Sequence, residues 1–342
     1  MDKLFQFQKK LVPDLLEVIE DRYQILKTIY LNEPIGRRAL AEQLNWTERQ
    51  MRSEIEFLDE QKLIKVTNKG MWVSEEGQHT VVSYPAILRE ISDLDGLETQ
   101  LRQSLPIQDV KVVPGDADQS KEVKQLLGKA AAQMLANQIK NDSIVTVTGG
   151  STMAAVADHM RPVQNFHPLF VPARGGLGDM YEYQASSICV QMAKQVNGSY
   201  RLLYVPDTVG EEIYSKMMEE PAVKDVLSLI EKADFVIHGI GDAMKMAKRR
   251  KASQEQIEHL KKNSAVGEAF GYYFDQDGKT IHQLNSIGMT KEHLTEDKTI
   301  ITVAGGTSKC QVISAFFKWG PSDVLIIDEA MARHLLNQIN QS

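Results

Sequence analysis

The sequence predicts an α/β protein in two parts: a small helical domain, then a mostly parallel sheet covered on both faces. Three observations predict it. Residues 11–73 read as helix, helix, turn, helix and a two-stranded hairpin. From residue 109 onward, short β-branched runs alternate with helical patterns, as strands buried on both faces do. Several of those runs end in paired glycines that open a helix. At 342 residues the chain is long enough for two domains and for a core that needs no disulfide or metal.

Each element has a local reason. In residues 11–31, Leu15, Ile19, Tyr23, Leu26 and Tyr30 recur at helical spacing. Pro34 interrupts them ahead of a second helix over 35–44, and Asn45-Trp46 makes a turn. Thr47 reads as the N-cap of a third helix that reaches residue 61, with Met51, Ile55 and Leu58 as its buried stripe. A strand over 63–66, a turn at Asn68-Lys69-Gly70 and a returning strand over 71–73 follow. The pattern weakens from 77 to 106, where Leu88, Ile91, Leu94 and Leu101 suit a connecting helix. The expected organisation is therefore a first domain over 1–90, a linker over 91–106 and a second domain over 107–342. In the second domain strands are expected at 109–113, 143–147, 169–171, 202–205, 235–237, 300–303 and 324–327. Helices are expected at 120–139, 151–160, 183–196 and 329–339.

Composition narrows the function. With 42% hydrophobic and 25% charged residues the chain is neither disordered nor fibrous. No window nears the uncharged apolar length of a membrane span, and residues 1–5 do not open a secretory signal. Cys189 and Cys310 are too few for a disulfide framework or a thiolate metal site, so a reducing cytoplasm and no metal are expected. A net charge of −7 argues against coating nucleic acid non-specifically but leaves room for a local DNA-reading face.

Such a face is on offer at the front. Helix, turn, helix and hairpin in this order make a winged helix–turn–helix, whose second helix enters the major groove. Thr47, Arg49, Gln50, Arg52 and Ser53 lie on or open that helix away from its apolar stripe, and Arg and Gln side chains read base edges. Arg37 and Arg38 could hold phosphates, and Lys65 and Lys69 ride on the hairpin. The plainer reading is a solvated helix face, since Glu48, Glu54, Glu56, Asp59 and Glu60 balance the local charge; a protein-docking module is a further alternative.

The body offers anion sites. Thr148-Gly149-Gly150-Ser151-Thr152 follows a strand and opens a helix, so backbone N–H groups and the helix dipole converge there. Ala304-Gly305-Gly306-Thr307-Ser308-Lys309 repeats the arrangement and adds a cation, and Pro172-Ala173-Arg174-Gly175-Gly176 adds a guanidinium fork. Each turn alone could be a tight connection; together they suit a ligand with more than one phosphate at the strand C-termini. The run Lys245, Lys248, Arg249, Arg250 and Lys251 is either a solvated helix face or a reach toward that phosphate. Glu268 could meet sugar hydroxyls or act as a base, and His238 reads as a packed residue at a strand edge. The motifs match neither a dinucleotide fingerprint nor an NTPase P-loop.

These motifs in this order resemble the SorC family of bacterial sugar-responsive transcription regulators. The segments 8–16 and 33–38 are most similar to its glycolytic branch. The resemblance implies a DNA-binding repressor of a glycolytic operon, active as a homodimer or homotetramer and induced by fructose 1,6-bisphosphate. It also implies an effector domain similar to sugar-phosphate isomerases and deaminases, without turnover or cofactor. Carried onto this chain, Gly149, Gly150, Ser151 and Thr152 would hold one phosphate; Arg174, Lys309, Arg249 and Arg250 would meet charge; Gln184 and Glu268 would meet the sugar. Ser151 stands where the family has threonine, a change that keeps a hydroxyl donor. The competing class is a sugar-phosphate isomerase or deaminase, with Asp242 or Glu268 as base.

Overall fold

The structure is a computed structural model that describes residues 15–91, 93–162, 166–177 and 180–341. The chain divides into two compact units, parted at Asp93 and Leu94.

The first unit holds α1 (Leu15–Asn32), α2 (Arg37–Leu44), α3 (Glu48–Glu60), β1 (Ile64–Thr67), β2 (Gly70–Val73) and α4 (Glu75–Ile91). Residues 11–14, expected to open the first helix, lie outside the described residues, as do the side chains of Leu88 and Ile91. The core joins Ile25, Leu26 and Ile29 of α1 to Leu40 of α2 and to Met51, Ile55 and Leu58 of α3. Ile64 and Met71 of the hairpin close it. Asn45, in the left-handed region at φ 55°, ends α2. Thr47 and Gln50 form a reciprocal capping box that starts α3. The hairpin pairs Ile64 with Val73 and Thr67 with Gly70, and Ile35 bridges Met71 on its other side. Arg22 pins α1 to α3, 2.7 Å from Glu54 and 3.5 Å over the Phe57 ring.

The second unit runs α5 (Leu94–Ser104), β3 (Asp109–Val113), α6 (Lys121–Gln138), β4 (Ile144–Val147), α7 (Ser151–His159), β5 (Leu169–Pro172), α8 (Ala185–Val196) and β6 (Ser199–Tyr200). Next come α9 (Glu211–Glu219), α10 (Pro221–Glu231), β7 (Phe235–Gly239), β8 (Gly241–Asp242), α11 (Ala243–Arg249), α12 (Gln254–Lys262), β9 (Gly267–Ala269), β10 (Tyr272–Phe274) and β11 (Thr280–Gln283). It ends with β12 (Thr299–Val303), α13 (Cys310–Trp319), β13 (Val324–Asp328) and α14 (Glu329–Gln341).

Its main sheet is parallel throughout, in the order β3-β13-β12-β7-β4-β5-β6. Alternate residues of one strand serve opposite cores. Val324 and Ile326 face the cluster built with α6, α7 and α8, while Leu325 and Ile327 face the one built with α5, α10, α13 and α14. Both faces are therefore buried, as the apolar runs require. Gly128 lets α6 approach α7: a Cβ there would lie 2.4 Å from the Ala155 carbonyl oxygen. A second, antiparallel sheet, β11-β10-β9-β8, flanks the C-terminal end of β7.

Three expectations change. The stretch 91–106 is not a linker: from Leu94 it is α5, whose Leu94, Leu97 and Leu101 are buried in the body's core. Residues 202–205 form no strand; the sheet's edge is β6, and Leu203 and Val205 fill the core from an irregular segment. His238 is not at an edge but on β7, the central strand, fully buried between the Phe270 and Phe316 rings.

Candidate functional site

The strand order reverses direction between β4 and β7: β5 and β6 extend one way, β12 and β13 the other. Ligand crevices of open α/β sheets form at such a switch, beyond the strand C-termini. A cavity of about 250 Å³ lies there. Gly149, Gly150, Ser151, Thr152, Arg174, Gln184, Arg249, Arg250, Glu268 and Lys309 all line it, although they come from segments spread over 160 residues of sequence. Among its lining residues are five cations, Arg174, Lys245, Arg249, Arg250 and Lys309, against three carboxylates, Asp207, Asp242 and Glu268.

The glycine turns are not equivalent. Gly150 is the N-cap of α7 at φ 116°, a conformation that suits glycine, and no side chain caps the helix. The first N–H groups of α7 and its dipole are therefore turned to the cavity. Lys124 of α6 donates to Ser151 Oγ at 3.3 Å, adding charge beside them. In the second turn the backbone is already engaged. Gly306 N donates to Asp328 Oδ2 at 2.6 Å and Ser308 N to Asp118 Oδ2 at 2.8 Å. What that turn offers the cavity is the Lys309 side chain. Burial, and then Lys124 and Lys245, push its pKa below the ordinary lysine value, with Asp118 and Asp328 opposing.

Arg174 is likewise not free. With Arg250, Asp207 and Glu268 it forms a buried group of two cations and two anions. Arg174 Nη2 is 2.9 Å from Asp207 Oδ1 and Nη1 is 3.1 Å from Glu268 Oε1. Its Nε donates to Ser286 Oγ at 2.9 Å. Arg250 Nε is 2.8 Å from Asp207 Oδ2 and Nη2 is 3.1 Å from Glu268 Oε1. Gly271 N also donates to Glu268 Oε1, at 2.7 Å. Burial alone would raise the Glu268 pKa, but Arg250, Arg174 and the Gly271 N–H outweigh it and hold the carboxylate ionised. The same carboxylates outweigh burial at Arg250 and raise its pKa; at Arg174 burial wins and lowers it.

Neither candidate base is poised for proton transfer. Glu268 is held in these ion pairs, and Asp242 caps α11, accepting from Lys245 N at 2.8 Å. His238 is also withdrawn: its Nε2 meets Thr302 Oγ1 at 2.9 Å, and burial lowers its pKa to about 4, so it is neutral at physiological pH. Gln184 Oε1 accepts from Leu177 N at 3.0 Å, tying the loop after β5 to the start of α8. Sequence reading missed Asp207, which lies in an irregular segment, and Lys124, which looks like any exposed helix lysine until the sheet places it beside Ser151. No group of side chains among the described residues has metal-site geometry, and no helix among them is long and apolar enough to cross a membrane.

On the first unit, Arg37, Arg38, Arg49, Arg52, Ser53 and Lys69 are exposed. Arg38 is paired with Glu48 at 2.9 Å. Thr47 and Gln50 are turned to each other in the capping box, so Gln50 is engaged rather than extended. Arg49, Arg52 and Ser53 remain outward on α3, and Lys65 and Lys69 on the hairpin.

A helix–turn–helix unit followed by a sheet domain with a charged cavity at its switch point defines the class: a transcription regulator. Comparison with known proteins agrees over nearly the whole chain. The family of CggR N-terminal DNA-binding domains is matched over residues 18–88, and a sugar-binding domain family over residues 89–337. The central glycolytic genes regulator of Priestia megaterium is 45% identical over 99% of this chain and 100% of its own length. That of Bacillus subtilis is 44% identical over 98% and 99%. The crystal structure of a SorC-family transcriptional regulator from Enterococcus faecalis, 40% identical, superposes with a TM-score of 0.66 over 70% of this chain and 99% of that one. The chain belongs to the SorC family of transcription regulators, in the branch of the central glycolytic genes regulators. It is a DNA-binding repressor and, like the regulators it is related to, not an enzyme.

Proposed function

We propose that this repressor governs a glycolytic operon and is induced by fructose 1,6-bisphosphate bound in the cavity. The observation that carries the reading is the uncapped N-terminus of α7 set against Lys309. One phosphate would accept from the N–H groups of Ser151 and Thr152 and pair with Lys309. Outside the neutral four-charge group the lining keeps Lys245, Arg249 and Lys309 against Asp242, an excess that suits a ligand with more than one phosphate. Gln184 and Glu268 would face the sugar. In this reading the sheet is that of sugar-phosphate isomerases and deaminases, with the acid–base groups given over to structure. The names of the relatives support the glycolytic target.

On the DNA, α3 would enter the major groove with Arg49 and Arg52 at base edges and Ser53 beside them. Arg37, Arg38 and Lys69 would hold phosphates, and Thr47 and Gln50 would fix the start of the helix. A homodimer or homotetramer would match paired half-sites, and the effector must prefer one of its states, since equal affinity for both shifts nothing. Isothermal titration with fructose 1,6-bisphosphate and a panel of sugar monophosphates tests the assignment. Saturable binding of the bisphosphate, weakened in Arg249→Ala, is expected; binding that ignores this residue overturns the pocket assignment.

A further inference from the structure

Asp207 lies in the irregular segment between β6 and α9. Few backbone contacts fix that segment near the cavity: Asp207 N donates to Gly176 O at 2.8 Å, Gly176 N to Val205 O at 2.9 Å, and Val209 N to Asn285 O at 3.1 Å. The Asp207 carboxylate spans two guanidinium forks, one oxygen 2.9 Å from Arg174 Nη2 and the other 2.8 Å from Arg250 Nε. All three side chains are at least nine-tenths buried. Yet the contact to Arg174 lacks hydrogen-bond alignment, and Nη2 is a buried donor that makes no hydrogen bond among the described residues. Such a donor is a standing cost that a better-placed acceptor would remove.

Glu268 differs from Asp207 in two ways. It sits on β9, inside a hydrogen-bonded sheet, and its oxygen accepts from the Gly271 N–H as well as from both arginines. Of the two carboxylates, Asp207 is the one on a loop and the one with the incomplete bond. A phosphate dianion carries the same sign, bridges guanidinium forks well, and has a third oxygen to offer Nη2.

We propose that Asp207 is a built-in stand-in for the second phosphate of the effector: it holds Arg174 and Arg250 until a dianionic group displaces it. The inference rests on the reading of the cavity as a sugar-bisphosphate site and adds what selects the ligand. A sugar monophosphate seated at the N-terminus of α7 leaves Asp207 in place. A bisphosphate must break two buried ion pairs, and only a second dianion offsets that loss. Asp207 is then a specificity-determining residue, and its release loosens the segment 206–210, beyond the core anchors Leu203 and Val205.

The test is isothermal titration of the full chain and of Asp207→Asn with fructose 1,6-bisphosphate, fructose 1-phosphate and fructose 6-phosphate. Removing the competing charge should tighten the bisphosphate about tenfold or more while shifting the monophosphates less than about threefold. A variant that melts like the parent but binds the bisphosphate no better, or gains equally for all three, overturns the proposal. Hydrogen exchange on the unmodified chain gives a second readout that needs no variant. The bisphosphate should speed exchange at the Asp207 and Val209 amides and the monophosphates should not; unchanged or slowed exchange with the bisphosphate overturns it. A parent chain that binds none of the three sugars defeats the pocket reading itself.

Discussion

Replacing Lys309 with methionine should weaken phosphorylated ligands and, at the same time, leave the fold as stable or more so. The amine stands on the short turn after β12, beside Lys124 and Lys245, and its pKa is lowered by burial and by those two neighbours. A hydrogen bond from a charged donor to phosphate contributes about 1.5–3 kcal/mol, so its loss raises Kd by about 10- to 150-fold. The lower end is expected, because Lys124 and Lys245 remain. The stability effect has the opposite sign. Since the folded pKa lies below the ordinary value of 10.5, the unfolded chain holds more protons in the window between them. Stability of the parent therefore rises as pH climbs through that window, and below it the protonated amine works against folding. Methionine removes this penalty and the alkaline rise with it. Titrations at rising pH, begun above the range in which phosphate becomes dianionic, should show the parent losing affinity at a lower pH than an ordinary lysine would allow, a loss that the variant lacks. Binding of Lys309→Met within twofold of the parent, or a melting temperature several degrees lower, would exclude this role for Lys309.

Three further outcomes follow from the geometry. Gly150→Ala meets open space at its new Cβ but keeps a φ of 116°, so the backbone strain of about 1–3 kcal/mol should appear as a lower melting temperature together with weaker phosphate binding. Arg174→Ala leaves Asp207 and Glu268 to share Arg250, one buried negative charge uncompensated, costing about 3–5 kcal/mol and about 6–20 °C in calorimetry; lost induction in that variant reports the broken ion-pair group as well as any lost ligand contact. Arg52→Ala, on the exposed face of α3, should relax base preference by about 1–3 kcal/mol, whereas Lys69→Ala on the hairpin should weaken all sequences alike and reduce the salt slope by about one in competition binding assays.

What was legible in the sequence was legible for local reasons. The N-cap at Thr47, the hairpin turn around Asn68-Lys69 and most of the β-branched runs carry their conformation in neighbouring residues, and the structure forms them within a residue or so of where the pattern put them. The strands β8 to β11 were not visible, because they are two to four residues long and pair only with one another. The stretch 91–106 reads as a connecting helix from its sequence, but only the body's core shows what the face of Leu94, Leu97 and Leu101 in α5 meets. The cavity's cast came from the glycine turns and the charge run, but its wiring did not. That Asp118 and Asp328 consume the second turn's N–H groups, that Asp207 and Glu268 pair with Arg174 and Arg250, and that Lys124 reaches Ser151 are all contacts between residues far apart in sequence. Residue types at a motif show which groups are present; the fold decides which of them are still available to a ligand.

On the proposed function, a sugar bisphosphate in the second unit controls the hold of the first unit on DNA. Fluorescence anisotropy of labelled DNA from upstream of the host's glycolytic operon tests it most directly, at fixed salt with competitor DNA, with and without fructose 1,6-bisphosphate. Specific binding that weakens or loses cooperativity with the bisphosphate, and that no longer responds in Lys309→Met at the same concentration, is the predicted result. Specific binding that stays the same while calorimetry shows the cavity saturated would contradict it.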